Sequence, residues 1–416
     1  MNFEHSDKVQ KYINLLNKFM DQNVYPNEKI YNNQLKNAED RWSTPPIMTE
    51  LRNKAREQGL WNLYIPPSLS KFGGYSLGNL EYAPLAEIMG KIHWAAEIFN
   101  CNAPDTGNME VFMKYATEAQ QDKWLTRLLA GEIHSAYAMT EPQVASSDAT
   151  NIECSITKKN DKYIINGRKW FITGAMHKNC EIFIVMGKSD PNNENRHLQQ
   201  SQILVPRNTP GLKIVRPLST LGYDDAPLGH AELLFDNVEV PLENILLGEG
   251  RGFEIAQGRL GPGRIHHCMR LIGNAQRALE FVCHRSENRS TFGRKLSQHQ
   301  SVKEFIATAF AQIEQARLLT YKTADQIDKL GAKDARDYIA AAKITVPKMT
   351  QEVIDQAMQI HGAGGLSDDW CMAEGFNYAR YCRLADGPDE VHMMALSKQL
   401  IKRFTNENST NECRKI

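Results

Sequence analysis

The stretch from Ile152 to Ile172, IECSITKKNDKYIINGRKWFI, decides the fold class because apolar residues at its start recur at every second position. Ile152, Cys154 and Ile156 alternate with polar neighbours, and a period of two is typical of a half-buried β-strand. Asn166-Gly167 separates two further apolar runs, and both of these residues tolerate positive φ. We therefore predict a β-hairpin that turns at Asn166-Gly167.

The same period extends on both sides of this stretch, from about His134 to Leu247. Further β-type runs lie at 182–186, 202–205 and 231–235, and turn residues separate them at short spacing. Short strands joined by frequent turns are typical of a small sandwich or barrel. We expect an antiparallel β-module here.

Helical periodicity flanks the β-module. Leu85, Ile88, Met89 and Ile92 fall at i, i+3, i+4 and i+7, which places them on one face of a helix. Beyond this module two longer apolar stripes follow, and a proline is expected to start or kink the last long helix. The first stripe consists of Val302, Phe305, Ile306, Ala309, Ile313 and Ala316, and the second of Val353, Ile354, Ala357 and Met358. The proline is Pro347, and Gly362 is the expected C-cap of the second helix.

The predicted fold class is multi-domain α+β, without the alternating strands and helices that a Rossmann domain requires. An N-terminal helical domain is expected over residues 1–131 and a middle antiparallel β-sandwich or barrel over 132–248. A C-terminal four-helix bundle would cover 249–405, followed by a polar tail at 406–416.

Composition excludes several classes of function. Lys+Arg and Asp+Glu both number 49, so no basic excess points to nucleic acid. No apolar run approaches the roughly 20 residues of a membrane span, and the N-terminus lacks the pattern of a secretory signal. The eight cysteines show neither C-x-x-C pairs nor zinc spacing, so we expect reduced thiols and no metal. With no targeting signal in view, we expect a cytoplasmic protein.

Two local motifs indicate less than they first suggest. The glycines of 248–252 (GEGRG) lack the third-glycine spacing and the strand–turn–helix context of a dinucleotide loop, which favours a flexible joint. His266-His267 follows GPGR at what we expect to be a helix start, but no ligand partner lies at i+4. Arg264, in the same segment, is a candidate for holding a phosphate or a carbonyl, although an arbitrary arginine is more often a surface charge.

Several other segments occur together and in order, and their combination is specific. They are AYAMTEP at 136–142 with Ser146-Ser147-Asp148, NGRKWFIT at 166–173, FDNVEVPLEN at 235–244, RSTFG at 289–293 with Leu296, His299 and Gln300, and QIHGAGG at 359–365 with Asp386-Gly387. Over nearly its whole length the chain thereby resembles the acyl-CoA dehydrogenase family of FAD-dependent enzymes.

The resemblance implies an FAD site. Tyr137, Met139 and Thr140 would bond the flavin ring from a strand, whose backbone donors and acceptors are rigidly placed. Three residues of the second motif would cover the other edge of the ring, and others would reach the pyrophosphate and adenosine, in part from a neighbouring subunit of a dimer or a dimer of dimers. These further positions are Phe171, Ile172, Thr173, Ser147, Arg289, Phe292, Gln300, Gln359, Gly362, Pro388 and Glu390.

The family reaction removes the α-proton of a fatty acyl-CoA thioester while a hydride leaves the β-carbon for the flavin. It needs a carboxylate base, and we expect a dry pocket to raise the pKa of that group. By resemblance the base is Asp386, with Asp389 or Glu390 as rivals; the alternative family position holds Gly263, which cannot serve. Ser147, Arg264 and Gly387 would contact the substrate.

Two departures, the longer 143–148 loop and Pro388 after Gly387, resemble the branch that includes the animal acyl-CoA dehydrogenase family members 10 and 11. That branch is linked to long-chain or 4-hydroxyacyl substrates. Its animal proteins carry a separate kinase-like domain, for which we expect no room in 416 residues. An electron-transferring flavoprotein would be the acceptor. An oxidase of the nitroalkane-oxidase or acyl-CoA-oxidase type and a flavin-less scaffold stay open as alternatives.

Overall fold

The computed structural model describes residues 4–406, so most of the predicted tail and Cys413 lie outside the described residues. Helices come first, a β-sheet follows, and a second set of helices completes the described chain. The helices are α1 (Asp7–Phe19), α2 (Glu28–Lys36), α3 (Pro46–Glu57), α4 (Asn79–Gly90), α5 (Ala95–Ile98), α6 (Asp105–Tyr115), α7 (Glu118–Gln120), α8 (Thr126–Leu129), α9 (Gly252–Asn288), α10 (Gln300–Leu330), α11 (Arg336–His361), α12 (Met372–Tyr381) and α13 (Asp389–Asn406).

The predicted helical stripes face the interior. Leu85, Ile88 and Met89 of α4 are buried, and Ile92 is buried just beyond its end. Gly362 ends α11 with a positive φ of 65°, as a C-cap glycine should. Pro347 is different, because α11 begins at Arg336 and places this proline inside the helix, so Pro347 does not start it.

A seven-stranded sheet forms the middle of the chain. Its order is β1-β4-β2-β3-β7-β6, with β5 on β4, and most neighbours run antiparallel. The expectation of an antiparallel module missed two pairings, because β4 runs parallel to both β1 and β2. The strands are β1 (His134–Ala138), β2 (Ser155–Lys159), β3 (Lys162–Thr173), β4 (Cys180–Lys188), β5 (Gln200–Pro206), β6 (Leu212–Leu218) and β7 (His230–Pro241), with the small hairpin strands β8 (Ser290–Thr291) and β9 (Arg294–Lys295) further on.

The predicted turn at Asn166-Gly167 is wrong. The hairpin turns at Asn160-Asp161, where Asn160 has φ 55°, and β3 runs straight through Gly167. Gly167 lies instead at a register shift between β3 and β7. A Cβ at this position would approach Cys154 Cβ to 2.7 Å, so the glycine permits close strand packing rather than a turn.

The C-terminal helices pack around α9, which is longer than predicted. The segment Gly261-Pro262-Gly263 lies inside this 37-residue helix, so His266 is not at a helix start. A Cβ on Gly273 would overlap the carbonyl of Glu87, because α4 and α9 approach each other so closely there. This contact joins the N-terminal helices to the C-terminal bundle. Within residues 4–406, no helix is long and apolar enough to cross a membrane.

Candidate active site

Asp386 lies in a short turn between α12 and α13, opposite the N-terminal half of α9. Its backbone is left-handed, with φ 57°, and Gly387 continues the turn with φ 105°. Arg264 Nε donates to the Asp386 carbonyl at 2.8 Å. A Cβ built on Gly263 would lie 3.7 Å from Asp386 Oδ2. The two positions at which the family places its base therefore face the same space.

Positive charge surrounds the Asp386 carboxylate. Burial raises the pKa of this group, but His267, Arg259, Lys343 and Arg264 lower it more, so its pKa falls below the usual value of 3.8. The expectation of a raised pKa is thus wrong for this structure. Asp386 is ionised at neutral pH and can accept a proton.

His267 is a neutral neighbour of this carboxylate. Burial, together with Arg270, lowers the pKa of its ring to about 3. Its Nε2 lies 3.8 Å from Asp386 Oδ2, and its Nδ1 lies 3.0 Å from the Tyr378 hydroxyl. Because this ring carries no charge at pH 7, Arg259, Lys343 and Arg264 supply the lasting positive field.

Buried neutral histidines predict a loss of stability in acid. Burial lowers the pKa of His266 to about 3 as well, whereas an unfolded histidine titrates near 6.5. Below pH 6.5 the unfolded chain binds protons that the folded chain does not, so stability falls as pH falls. We expect on the order of 1 kcal/mol per pH unit for each such group between pH 6.5 and 4, measured by urea unfolding at several pH values.

The control for this prediction is a pair of variants. His266→Phe removes one titrating ring and keeps an aromatic against Tyr82, whose ring centroid lies 5.0 Å from that of His266, so the slope should become shallower. His284→Asn, at an exposed position of the same helix, should leave the slope unchanged. An unchanged slope in His266→Phe would contradict the assignment.

A buried ion pair holds together the first two motifs. Lys169 Nζ donates to Glu141 Oε1 and to the Met139 carbonyl, both at 2.8 Å, and the Lys169 side chain is completely buried. Trp170 N–H donates to the Thr140 carbonyl at 3.0 Å. The segments predicted to bond the two edges of the flavin ring are therefore fixed to each other. Lys169 and Glu141 lie within the sequence motifs, but the motif pattern assigns neither residue a role.

The strand-side residues also lie close to the proposed base. Arg259 stacks 4.1 Å from the centre of the Tyr137 ring, and the same guanidinium lowers the pKa of Asp386. Gln202 Nε2 donates to the Tyr137 hydroxyl at 2.7 Å. Nothing in the sequence pattern singled out Arg259, because its role depends on α9 passing between β1 and the Asp386 turn.

Phe171 and Thr173 occupy different settings on β3. Phe171 is 40% exposed with φ 50°, and its neighbour Ile172 is buried in the β-sheet core. Thr173 is half-buried, and its hydroxyl lies 3.0 Å from His230 Nδ1. The exposed ring and the hydroxyl are available to a flat ligand, as the resemblance implies.

Two of the remaining cofactor-side positions belong to the small hairpin that follows α9. Phe292 is 94% exposed at the tip of the β8–β9 hairpin, where it and Gly293 have φ of 49° and 77°. Among residues 4–406, the Arg289 side chain forms no ion pair and no hydrogen bond. A free guanidinium and a bare aromatic ring match the pyrophosphate and adenine of FAD, so the donor set fits this cofactor. Gln300, Gln359, Gly362, Ser147, Thr140 and Glu390 are likewise exposed, whereas Met139, Pro388 and Gly387 are half-buried.

Two predicted substrate contacts acquire structural partners. Arg264 donates its Nε–H to the Asp386 backbone carbonyl. It is therefore a positioning residue for Asp386 as well as a candidate substrate contact. A Cβ on Gly387 would meet His392 Nε2 at 3.0 Å, so glycine keeps this turn open. Asp389, a rival base, is buried and pairs with Arg383 at 2.8 Å, whereas Glu390 is exposed.

One buried cluster has ligand atoms close enough for a metal ion. The side-chain ligand atoms of Glu97, His134 and His177 lie within 4.8 Å of one another. The Arg52 guanidinium donates to Glu97 at 3.2 Å and lies 3.4 Å from His134 Nε2. Because a cationic side chain already faces this group, the geometry favours a structural network over a metal site.

Models of the acyl-CoA dehydrogenase family match the chain in three consecutive parts. The N-terminal domain model matches residues 10–132, the middle domain model 136–238 and the C-terminal domain model 250–401. Helices, a curled β-sheet and a C-terminal helical bundle are the architecture of this family, as predicted. The site and the fold thus define a flavoprotein oxidoreductase scaffold.

Individual relatives give the same result. "Acyl-CoA dehydrogenase family member 11" of Gallus gallus is 50% identical over 95% of this chain, and the chain spans about half (51%) of that protein. "Probable acyl-CoA dehydrogenase FadE2" of Mycobacterium tuberculosis is 47% identical, with 97% of this chain and 98% of FadE2 covered. The solved structure of an acyl-CoA dehydrogenase-type protein from Mycobacterium abscessus matches with a TM-score of 0.92 at 44% identity, over 97% of this chain and all of the other. The chain belongs to the acyl-CoA dehydrogenase family.

Proposed function

We propose that the chain catalyses FAD-dependent α,β-dehydrogenation of a fatty acyl-CoA thioester to a trans-2-enoyl-CoA, with Asp386 as the base. The observation that carries the proposal is the ionised Asp386 carboxylate, held by its backbone to Arg264 and facing the space beside Gly263. Membership of the family supports acyl-CoA as the substrate class. A long or hydroxylated acyl chain is the narrower proposal that follows from the branch resemblance.

In the proposed reaction a proton leaves the α-carbon and a hydride leaves the β-carbon. The Asp386 carboxylate takes the proton from Cα, and the electrons of that C–H bond form the Cα=Cβ double bond. When bound, FAD supplies the two-electron oxidant that takes up the β-hydrogen with its electron pair. Negative charge grows on the thioester oxygen meanwhile, and the backbone N–H of Asp386 is the donor that we assign to it.

The electrostatic setting of Asp386 suits this role in one respect and opposes it in another. Arg259, Lys343 and Arg264 keep the carboxylate ionised, so the base is ready without prior deprotonation. The same charges weaken its basicity. They also stabilise the enolate-like negative charge that develops on the substrate. This stabilisation lowers the free energy of the transition state for proton transfer.

Anaerobic mixing with a panel of acyl-CoA thioesters tests the function. A matching substrate should bleach the flavin absorbance, and slow reoxidation by air but fast reoxidation by an electron-transferring flavoprotein would establish a dehydrogenase. Fast reoxidation by oxygen would identify an oxidase, the alternative that an aspartate base favours because nitroalkane oxidase, on the same scaffold, also uses one. A protein that stays colourless with added FAD would be a scaffold and would overturn the proposal.

We further propose that two subunits share each FAD, in a dimer or a dimer of dimers. The support is the hairpin that carries Arg289 and Phe292, because it presents both side chains to the outside of its own chain. An isolated aromatic at the tip of a two-residue turn is a typical anchor for a partner surface.

Arg289→Ala is therefore expected to weaken FAD binding roughly 10- to 100-fold, the equivalent of one charge-assisted hydrogen bond of about 1.5–3 kcal/mol. The melting temperature of the flavin-free protein should not change, because Arg289 is exposed. Equilibrium dialysis against FAD measures the effect. Arg294→Ala, on the same hairpin and equally exposed, is the matched control. Unaltered affinity in Arg289→Ala, or equal loss in both variants, would contradict the shared site.

A further inference from the structure

Three hydrogen-bonded side chains lead from the proposed flavin edge into the protein interior. Thr173 and His230 are direct cross-strand partners on β3 and β7, and Thr173 Oγ1 lies 3.0 Å from His230 Nδ1. His230 Nε2 lies 2.9 Å from Asp225 Oδ2. The side chains of His230 and Asp225 are only 6% and 8% exposed, so water competes little for the bond between them.

Asp225, at the inner end, is an ionised acceptor. Burial raises its pKa, but the hydrogen bond with His230, the nearby His93 and the Tyr381 hydroxyl together lower it below its ordinary value. Burial raises the pKa of Tyr381 well above 10, so its hydroxyl keeps its proton and donates. An ionised carboxylate can only accept, and the proton shared with His230 therefore lies on Nε2.

The tautomer at His230 determines what Thr173 can offer. In the neutral ring the single proton lies on Nε2, so Nδ1 has only a lone pair, and the Thr173 O–H must donate to it. The hydroxyl proton is then committed to the protein interior. Thr173 Oγ1 presents lone pairs alone to any ligand that lies against this edge of β3.

We propose that Asp225 and His230 are positioning residues that fix the Thr173 hydroxyl as a hydrogen-bond acceptor toward the isoalloxazine ring of FAD. The inference rests on the flavin site of the proposed function. Two-electron reduction adds an N–H to this ring, and an oxygen that can only accept bonds such a donor better than it bonds the oxidised ring. The three side chains therefore favour the reduced cofactor and raise its midpoint potential.

The test measures the midpoint potential of the bound flavin by reductive titration with reference dyes, without any acyl-CoA. Thr173→Val, His230→Asn and Asp225→Asn are each expected to lower the ratio of reduced to oxidised affinity roughly tenfold, which is about 30 mV for a two-electron couple. Asp225→Asn is the most specific of these, because an amide N–H facing Nε2 favours a proton on Nδ1 and thereby frees the hydroxyl to donate. Thr173→Ser should stay at the wild-type potential.

A double variant and a matched control separate this role from a structural one. His230→Asn should add nothing in the Thr173→Val background, because its effect passes through the hydroxyl. His177→Asn removes another buried histidine bonded to a threonine hydroxyl at 3.0 Å, that of Thr44, and should leave the potential unchanged.

Each other outcome overturns the inference. Unshifted potentials in Asp225→Asn and His230→Asn, additive shifts in the double variant, or an equal shift in His177→Asn would each do so. If His230→Asn fails to fold, Asp225→Asn and Thr173→Ser still decide the question. A wild-type protein that binds no FAD would refute the proposed function itself. FAD binding by the wild type is therefore measured first, before any variant is compared.

Discussion

Asp386→Asn is expected to retain FAD and the wild-type oligomer and to lose turnover by at least about 10²- to 10⁴-fold, the range typical of a lost general base. The amide has nearly the same shape as the carboxylate, and the backbone bond from Arg264 to the Asp386 carbonyl is unaffected. The shape of the turn is kept, whereas the negative charge and the ability to accept a proton are lost. Anaerobic stopped-flow reduction with the best acyl-CoA of the panel measures the step directly, because it isolates flavin bleaching from reoxidation.

The neighbouring carboxylates provide the comparison for this variant. Asp389 is buried and paired with Arg383, so Asp389→Asn should lower the melting temperature while leaving the bleaching rate of the folded fraction close to wild type. Turnover that survives in Asp386→Asn but disappears in Asp389→Asn would move the base to Asp389. Survival in both variants would remove the carboxylate base from this turn altogether.

Sequence reasoning succeeded where a signal is local. The apolar spacing of α4 and α10 and the β-type runs at 182–186, 202–205 and 231–235 predicted real elements, because periodicity follows directly from which face is buried. It failed at Gly167, where a positive-φ tolerance was interpreted as a turn. The actual reason for glycine there is the approach of Cys154, a contact between two strands that spacing does not contain.

The electrostatics of the site were beyond the sequence for a related reason. The groups that lower the pKa of Asp386 come from α9 (Arg259, Arg264, His267) and from α11 (Lys343). All of them precede Asp386 by more than 40 residues in the sequence. A resemblance identifies the base, but it cannot say which charges surround that base. A raised pKa was expected from burial alone. In the folded protein, nearby cations lower the pKa of Asp386 by more than burial raises it. The bond between His230 and Thr173 is of the same kind, since strand register brings the two together.

The ion pair beneath the flavin segments leads to the second large effect. Lys169→Met is expected to destabilise the flavin-free protein by about 3–5 kcal/mol, because it leaves the buried Glu141 carboxylate without its cation. Within residues 4–406, Glu141 then keeps two donors, the backbone N–H groups of Glu153 and Cys154, at 2.8 and 2.9 Å. Urea unfolding measures the loss of stability.

FAD affinity should fall in the same variant, for a separate reason. Lys169 also donates to the Met139 carbonyl, so its removal loosens the segment that we expect to bond the flavin ring. Lys162→Met is the matched control on the same strand, because Lys162 pairs with Glu239 at 2.9 Å on the surface, where water screens the charges, and little should change. Lys169→Met/Glu141→Gln should recover part of the lost stability, since an amide costs less to bury than an unpaired carboxylate. If Lys169→Met is no more harmful than Lys162→Met, the pair does not hold the motifs together, and the rigid strand platform proposed for the flavin must have another origin.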